Sequence, residues 1–188
     1  MAITRIGGAN AITGVIPVAN GGTGATSFAP GKVLQVKHNM ISSRYLVSGN
    51  GTLETIWTGD TLTLSNSSNK VLVLGSFSVG GDRGGAMALQ FSTDGGSNYS
   101  DITTADMGNN DSNLDGKAVL GFHNNFSANA NASMQSSFNY LHAPSNTSAK
   151  YRLRIAGQGS TYAISINRRD LDSDYGGLSW VTQMEVSA

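Results

Sequence analysis

The chain contains no cysteine. Disulfides, Cys-ligated zinc and thiol redox chemistry are therefore excluded, while the compartment is left open. Charge is also scarce. Asp, Glu, Lys and Arg make up 13% of the 188 residues, about half the share of an ordinary soluble domain. The 12 basic and 12 acidic residues cancel, and only Arg168 and Arg169 are adjacent among the basic ones. No field of one sign argues for nucleic acid or for an anionic membrane surface. No run approaches the ~20 apolar residues of a membrane-spanning helix. The opening "MAITRIGGANAITG" lacks the apolar stretch of a secretory signal. The expectation is a protein made in a cytoplasm, or released from one by lysis, with no membrane insertion.

Small polar residues take the place of the missing charge: 24 Gly and 24 Ser. Such a composition favours many short strands joined by tight turns and disfavours long helices. At this length one domain is expected.

Two parts are legible. Residues 1–31 carry Gly7-Gly8, Gly14, Gly21-Gly22, Gly24 and Gly31, with Pro17 and Pro30 between them. Their Ile and Val residues follow no single period. Alone, this arm buries too little apolar surface to offset the entropy of ordering it, so it is either a flexible tail or an extended segment ordered by a partner. From residue 32 to 188 the period becomes two. "KYRLRIA" sets Tyr151, Leu153 and Ile155 against Lys150, Arg152 and Arg154. "KVLVLGSFSVG" carries Phe77 and Val79, "AMALQFS" Met87, Leu89 and Phe91, and "ASMQSSFNYLH" Met134, Phe138 and Tyr140. "YAISIN" and "LSWVTQMEV" place Tyr162, Ile164 and Ile166, and Trp180, Met184 and Val186, at alternate positions. This alternation predicts roughly ten strands, each with one buried face, with Tyr162 and Trp180 read as core. "NSSN", "TDGGSN" and similar clusters are turns, and the polar stretches 103–116 and 124–131 are long loops. The fold class is all-β: a β-sandwich, most simply a jelly roll, with an extended N-terminal arm. Opposite the apolar positions stand uncharged faces, with Ser76, Ser78, Ser137 and Asn139 among them. These suit packing of identical subunits around an axis, or an ordinary wetted surface.

The arm "IPVANGGTGATSF" (residues 16–28) resembles a short segment that recurs in bacteriophage tail-fibre and other virion structural proteins. There, "PVANGGTGAT" links or anchors a downstream module. Over the body, "STDGGSNYS", "YLHAPSNTSAKYRLRI", "INR" and the final "MEV" resemble, more loosely, C-terminal modules of marine and cyanobacterial phage fibres. Those modules look like trimeric jelly rolls of the C1q and tumour-necrosis-factor kind. The resemblance implies a homotrimer that contacts other phage virion proteins. Its virion-anchoring residues would be Ile16, Pro17, Val18, Asn20, Gly21, Gly22, Thr23, Gly24 and Phe28. Fibres are usually long, and a chain this short is not expected to form a shaft. The expectation is a short tail fibre or fibre-tip module touching the host surface, or instead a capsid decoration protein stabilising the head.

Motifs for chemistry are thin. Asp111-x-Asn113-x-Asp115-Gly116 matches the first half of a calcium loop, but Phe122 stands where a bidentate Glu belongs. The half-match leaves two readings of Asp111, Asn113 and Asp115, a Ca²⁺ site completed by backbone carbonyls or a neighbouring subunit and a solvated turn, and the alternate Asp170, Asp172 and Asp174 leave the same two. No other cofactor is indicated. Gly31-Lys32 fails as a phosphate loop, because Thr26 stands where its first glycine belongs and Val33 follows the lysine. His38, His123 and His142 sit in no nucleophile–base motif, and Gly-x-Ser-x-Gly is absent. A tail-spike glycan hydrolase therefore ranks behind a non-enzymatic protein. For a host-surface glycan, Tyr99 in "GGSNYSD" and Tyr175 in "DSDYGG" offer aromatic surface in or beside loops.

Overall fold

The computed structural model describes residues 32–47, 53–81, 85–102, 118–122, 133–157, 164–168 and 176–188, with the backbone alone for residues 81 and 118–122. The arm residues 16–28, Tyr162, Tyr175, the Asp111–Asp115 loop and Asp170, Asp172 and Asp174 lie outside them. The chain divides into units at residues 1–32 and 33–188, and every described strand belongs to the second.

The described residues form twelve strands and no helix. In chain order they are β1 (Val33–Ile41), β2 (Tyr45–Val47), β3 (Glu54–Thr58), β4 (Leu62–Thr63), β5 (Lys70–Gly81), β6 (Gly85–Ser92), β7 (Ser100–Asp101), β8 (Ala118–Phe122), β9 (Ser133–His142), β10 (Ser148–Gly157), β11 (Ile164–Ile166) and β12 (Ser179–Val186). Every pairing is antiparallel, and the strands fall into two sheets sharing one core. The all-β, two-sheet reading of the sequence agrees with this.

Several short strands are pieces of one lane. β11 and β12 run along the same edge of β5, with Ile166 opposite Val79 and Trp180 opposite Ser76. Between them, Asn167 N–H donates to the Ser78 carbonyl at 2.9 Å. Asn167 and Ser179 therefore continue one ladder, and the residues between leave and rejoin it at one point. β1 and β2 continue one another beside it, with Ile41 opposite Ser179 and Tyr45 opposite Ile166. β3 and β4 share one edge of β10, and β7 and β8 share the outer edge of β6. Each sheet is thus four lanes wide. The first runs β1/β2, β12/β11, β5, β9; the second runs β3/β4, β10, β6, β7/β8.

Asn167 ties the split lanes together. Its φ of 59° lies in the left-handed region that Asn tolerates better than most residues. Its amide donates to the Ile41 and Ser43 carbonyls, and its Oδ1 accepts from Ser179 Oγ at 2.6 Å. Ser179 Oγ in turn accepts from Ser78 N–H at 3.0 Å.

The core follows the alternation in most strands. On β10, Tyr151, Leu153 and Ile155 are fully buried while Lys150, Arg152 and Arg154 point away. Val71, Val73, Phe77 and Val79 of β5 meet Met87 and Leu89 of β6 across the sandwich core. A bulge in β3, where Leu153 pairs with Trp57 and Arg154 with Thr55, leaves Ile56 unpaired. The extra residue lets consecutive side chains, Ile56 and Trp57, both enter the core.

Three expectations are corrected or extended. Trp180 is not core: it lies on the outer side of the first sheet with Thr182, Met184 and Val186, because Val181, Gln183 and Glu185 take the inner side. Ser76 and Ser78 sit opposite the core as expected, yet both are buried. Gln135 Nε2 and Ser137 Oγ lie within 2.7 Å and 2.9 Å of Ser76 Oγ. Gly177 crosses Ser78 so closely that a Cβ there would fall 2.3 Å from the Ser78 Cβ. β8 is a strand that the pattern of "AVLGF" did not reveal.

Gly75 faces the core directly opposite Phe138. A Cβ on it would lie 2.5 Å from Phe138 Cε1 and 2.7 Å from Phe77 Cε2. Those two rings stack nearly parallel, 6.2 Å apart. Gly75→Ala is expected to destabilise the domain by about 1–3 kcal/mol, as overpacking of a filled core does. A urea midpoint equal to that of the parent chain would show the rings free to yield.

Candidate functional site

Three places in the described residues concentrate polar or recognition chemistry. The first is a polar layer between the edge lanes of the two sheets. Along β1, Gln35, Lys37 and Asn39 point toward the interior, which leaves Val36, His38 and Met40 outside. Gln35 Nε2 donates to the Thr63 carbonyl at 2.7 Å, and Lys37 Nζ to the Thr61 carbonyl at 2.8 Å. The lane β3/β4 of the second sheet thus receives bonds from the edge of the first.

Glu185 is the centre of this layer. It is 2% exposed, and its carboxylate accepts four hydrogen bonds. Oε2 takes one from Gln35 Nε2 at 2.6 Å. Oε1 takes three, from Ser65 N–H, Ser65 Oγ and Asn69 Nδ2, at 2.7, 2.8 and 2.6 Å. Burial works to raise its pKa; the donors from Gln35, Asn69 and Ser65 outweigh burial and bring it down to about 2. Beside it, Gln183 is fully buried with neither side-chain polar atom hydrogen-bonded, and Asn39 Oδ1 is likewise unpaired.

The second place is the outer face of the second sheet. Tyr99, the one predicted receptor residue among the described residues, is half-buried there. Its ring lies 4.0 Å from the Arg152 guanidinium. Arg152 Nε donates to Gln90 Oε1 at 2.6 Å, and Gln90 Nε2 donates to Asp101 Oδ1 at 2.6 Å. The ring also approaches the turn that follows β6: a Cβ on Gly96 would meet Tyr99 Oη at 3.0 Å. Gly95 and Gly96 adopt φ of 77° and 103° in that turn, which only glycine takes without strain. Asp94 holds the turn closed. It accepts from Asn98 N–H, Ser92 Oγ, Asn98 Nδ2 and Ser97 N–H, and these bonds keep its carboxyl well below the usual carboxylate range.

The third place is the outer face of the first sheet. Here the register sets Val36 opposite Met184, Met184 opposite Leu72, and Leu72 opposite Leu141, so one apolar row crosses all four lanes. The sequence reading missed this row. Each strand alternates in the sequence, but only the pairing shows that the apolar sets line up.

His142 packs among aromatic side chains. It ends β9 with its ring 4.3 Å from Phe91 and Nδ1 2.9 Å from Tyr151 Oη. Burial lowers its pKa and raises that of Tyr151. Among the described residues no group of three or more His, Asp or Glu side chains is placed to hold a metal. No helix among them is long and apolar enough to cross a membrane.

No family model matches the chain, and no curated protein matches it. Among solved structures it is similar to the VP2 subviral particle of infectious bursal disease virus, at 10% identity over 81% of this chain and 38% of that one, with a TM-score of 0.33. It is similar to the Gt strain of that virus at 11% identity over 92% of this chain and 44% of that one, with a TM-score of 0.34. The chain therefore spans less than half the length of these structures.

The acid behaviour of Glu185 is measurable. Its folded pKa of about 2 lies below its ordinary 4.5, so the unfolded chain takes up the proton first. The stability it contributes is complete above pH 4.5 and is lost as pH falls from 4.5 toward 2. Glu185→Gln should cost about 1–3 kcal/mol near neutral pH, where a charged acceptor is replaced. It should also flatten the fall of stability across that acid window. Parallel stability–pH curves for the two proteins would refute the assignment.

Proposed function

We propose that this chain is a non-enzymatic structural protein of a bacteriophage virion. In this reading it is a short tail fibre or fibre-tip module, held by residues 1–31 and presented to the host surface as a homotrimer. The observation that carries the reading is the arm motif "PVANGGTGAT" at residues 17–26, which resembles the linking segment of phage fibre proteins. The anchoring contacts would come from Ile16, Pro17, Val18, Asn20 and the glycines after them. Gly lets main chains approach closely, which suits an uncharged arm running against other backbones.

The lane order supports the jelly-roll part of the proposal. Numbered along the chain, the lanes read 1-8-3-6 in one sheet and 2-7-4-5 in the other. The adjacent pairs 1:8, 2:7, 3:6 and 4:5 are those of one long antiparallel hairpin wrapped into two sheets, the plan of a jelly roll.

For the contact with a host glycan, the proposal takes Tyr99 and Tyr175. Tyr99 supplies an aromatic face, and Gln90, Asp101 and Arg152 beside it supply donors and acceptors of the kind that bind sugar hydroxyls.

The reading is tested by locating the protein on intact particles with a labelled antibody. Label at the tail is expected. Label spread over the head would replace the fibre reading with capsid decoration, and hydrolysis of capsule polysaccharide by the purified chain would overturn the non-enzymatic one. Deleting residues 1–31 should leave a folded domain that no longer enters particles; incorporation of the truncated chain would place the anchor elsewhere.

A further inference from the structure

We infer that the outer face of the first sheet is a self-association surface and that a second copy of this chain covers it. Same-face contact closes as a two-fold pair, so this surface is distinct from the three-fold contact of the assembly proposed above, and the inference rests on that reading only in treating the chain as one of several identical copies.

The two outer faces differ in kind. That of the second sheet carries Lys150, Arg152, Arg154 and Asp101, with Gln90 linked into its hydrogen bonds. That of the first sheet carries the row Val36, Met184, Leu72 and Leu141. All seven strongly exposed large apolar side chains of the described residues lie on strands of the first sheet or, for Leu178, one residue before β12. Val36 is 53% exposed, Met40 59% and Leu141 51%. Scattered singly, such residues need no explanation; aligned in register across one face, they mark an interaction surface.

The occupant follows from charge, shape and size. The face carries a formal charge at its margin, Lys70, where β5 begins. Two copies apposed through it would bury the apolar row without stranding ions. A four-lane sheet face packs against another sheet as the two inner faces do, with side chains interdigitated and the sheets about 10 Å apart. Of the two outer faces described, only this one offers an apolar sheet surface to meet it. Four lanes about 4.8 Å apart, along the roughly 20 Å from Lys70 to Ser76, short of the point where Gly177 covers Ser78, give on the order of 400 Å² per copy. Two copies then bury about 800 Å², the scale of a weak, transient contact. A lipid surface fits less well, because the described residues of the face supply no ring of basic side chains of the kind that engages anionic headgroups.

The test uses the full chain and does not depend on where the protein sits in a particle. Sedimentation velocity from low to high micromolar concentration should give a mass that is a multiple of 19.5 kDa. Val36→Glu and Leu141→Glu, both at exposed positions, should weaken association tenfold or more with unchanged circular dichroism. Thr58→Glu, exposed on the second sheet, should leave it intact. Oxidative footprinting of the unaltered chain gives an independent reading: Met40 and Met184 should be protected at high concentration and lose protection on dilution. A monomer at every concentration, association indifferent to both glutamates, or footprints that do not change with dilution would each overturn the inference. So would binding of the unaltered chain to phosphatidylglycerol vesicles without self-association.

Discussion

The burial of Glu185 sets the phase of two strands, and much of the molecule's surface depends on it. A strand allows no rotation of one side chain independent of its neighbours: successive residues point to opposite faces. Once Glu185 turns inward to meet Ser65, Asn69 and Gln35, Met184 and Val186 must turn outward. The neighbouring lane obeys the same rule, since Gln35 and Lys37 reach the carbonyls of Thr63 and Thr61 from the inner side and leave Val36 and Met40 outside. The polar seal at one edge and the apolar outer face are therefore two sides of one arrangement. A carboxylate so buried is tolerated because its donors are already in place, and removing one would strand the others.

Most of the fold was legible in the sequence because most strands obey a simple rule. β10 alternates from Ser148 to Ile155, and Leu153, Ile155, Met87, Leu89, Phe77 and Ile164 are in the core where the period put them. The turn at "TDGGSN" is where its two glycines and Asp94 predicted one. The rule failed where polar residues found partners far away in the chain. Glu185 and Ser65 are separated by 120 positions, and nothing local announces that a Glu will be satisfied inside while a Trp stays at the surface. Size also misled: Trp180 is the bulkiest residue of its strand, yet bulk does not decide orientation when the opposite set holds a hydrogen-bonded acid. The bulge at Ile56 and the strand β8 escaped for related reasons, since one depends on an unpaired residue and the other on a run too short to show a period.

The candidate surfaces divide in the same way. The arm motif lies outside the described residues, and its reading rests on the sequence alone. Tyr99 was visible as an aromatic beside a turn, but its setting was not: Arg152 and Gln90 come from different strands, and only the pairing of β6, β7 and β10 brings them beside it. The apolar row of the first sheet was the least legible. It draws one residue from each of four lanes that are distant in the chain, and its meaning lies in their register.

The ladder along β5 has one further consequence. Asn167 and Ser179 occupy adjoining positions and are joined through Ser179 Oγ and Asn167 Oδ1, so the sheet closes across the break without the residues in between. The cost of holding the ends of a loop together rises slowly with its length. A change of length between them therefore costs the sheet no hydrogen bond, provided Gly177 keeps its place against Ser78. The molecule has, in effect, a socket: a site where new sequence can be tried by evolution, or grafted by design, on a frame that does not have to change with it.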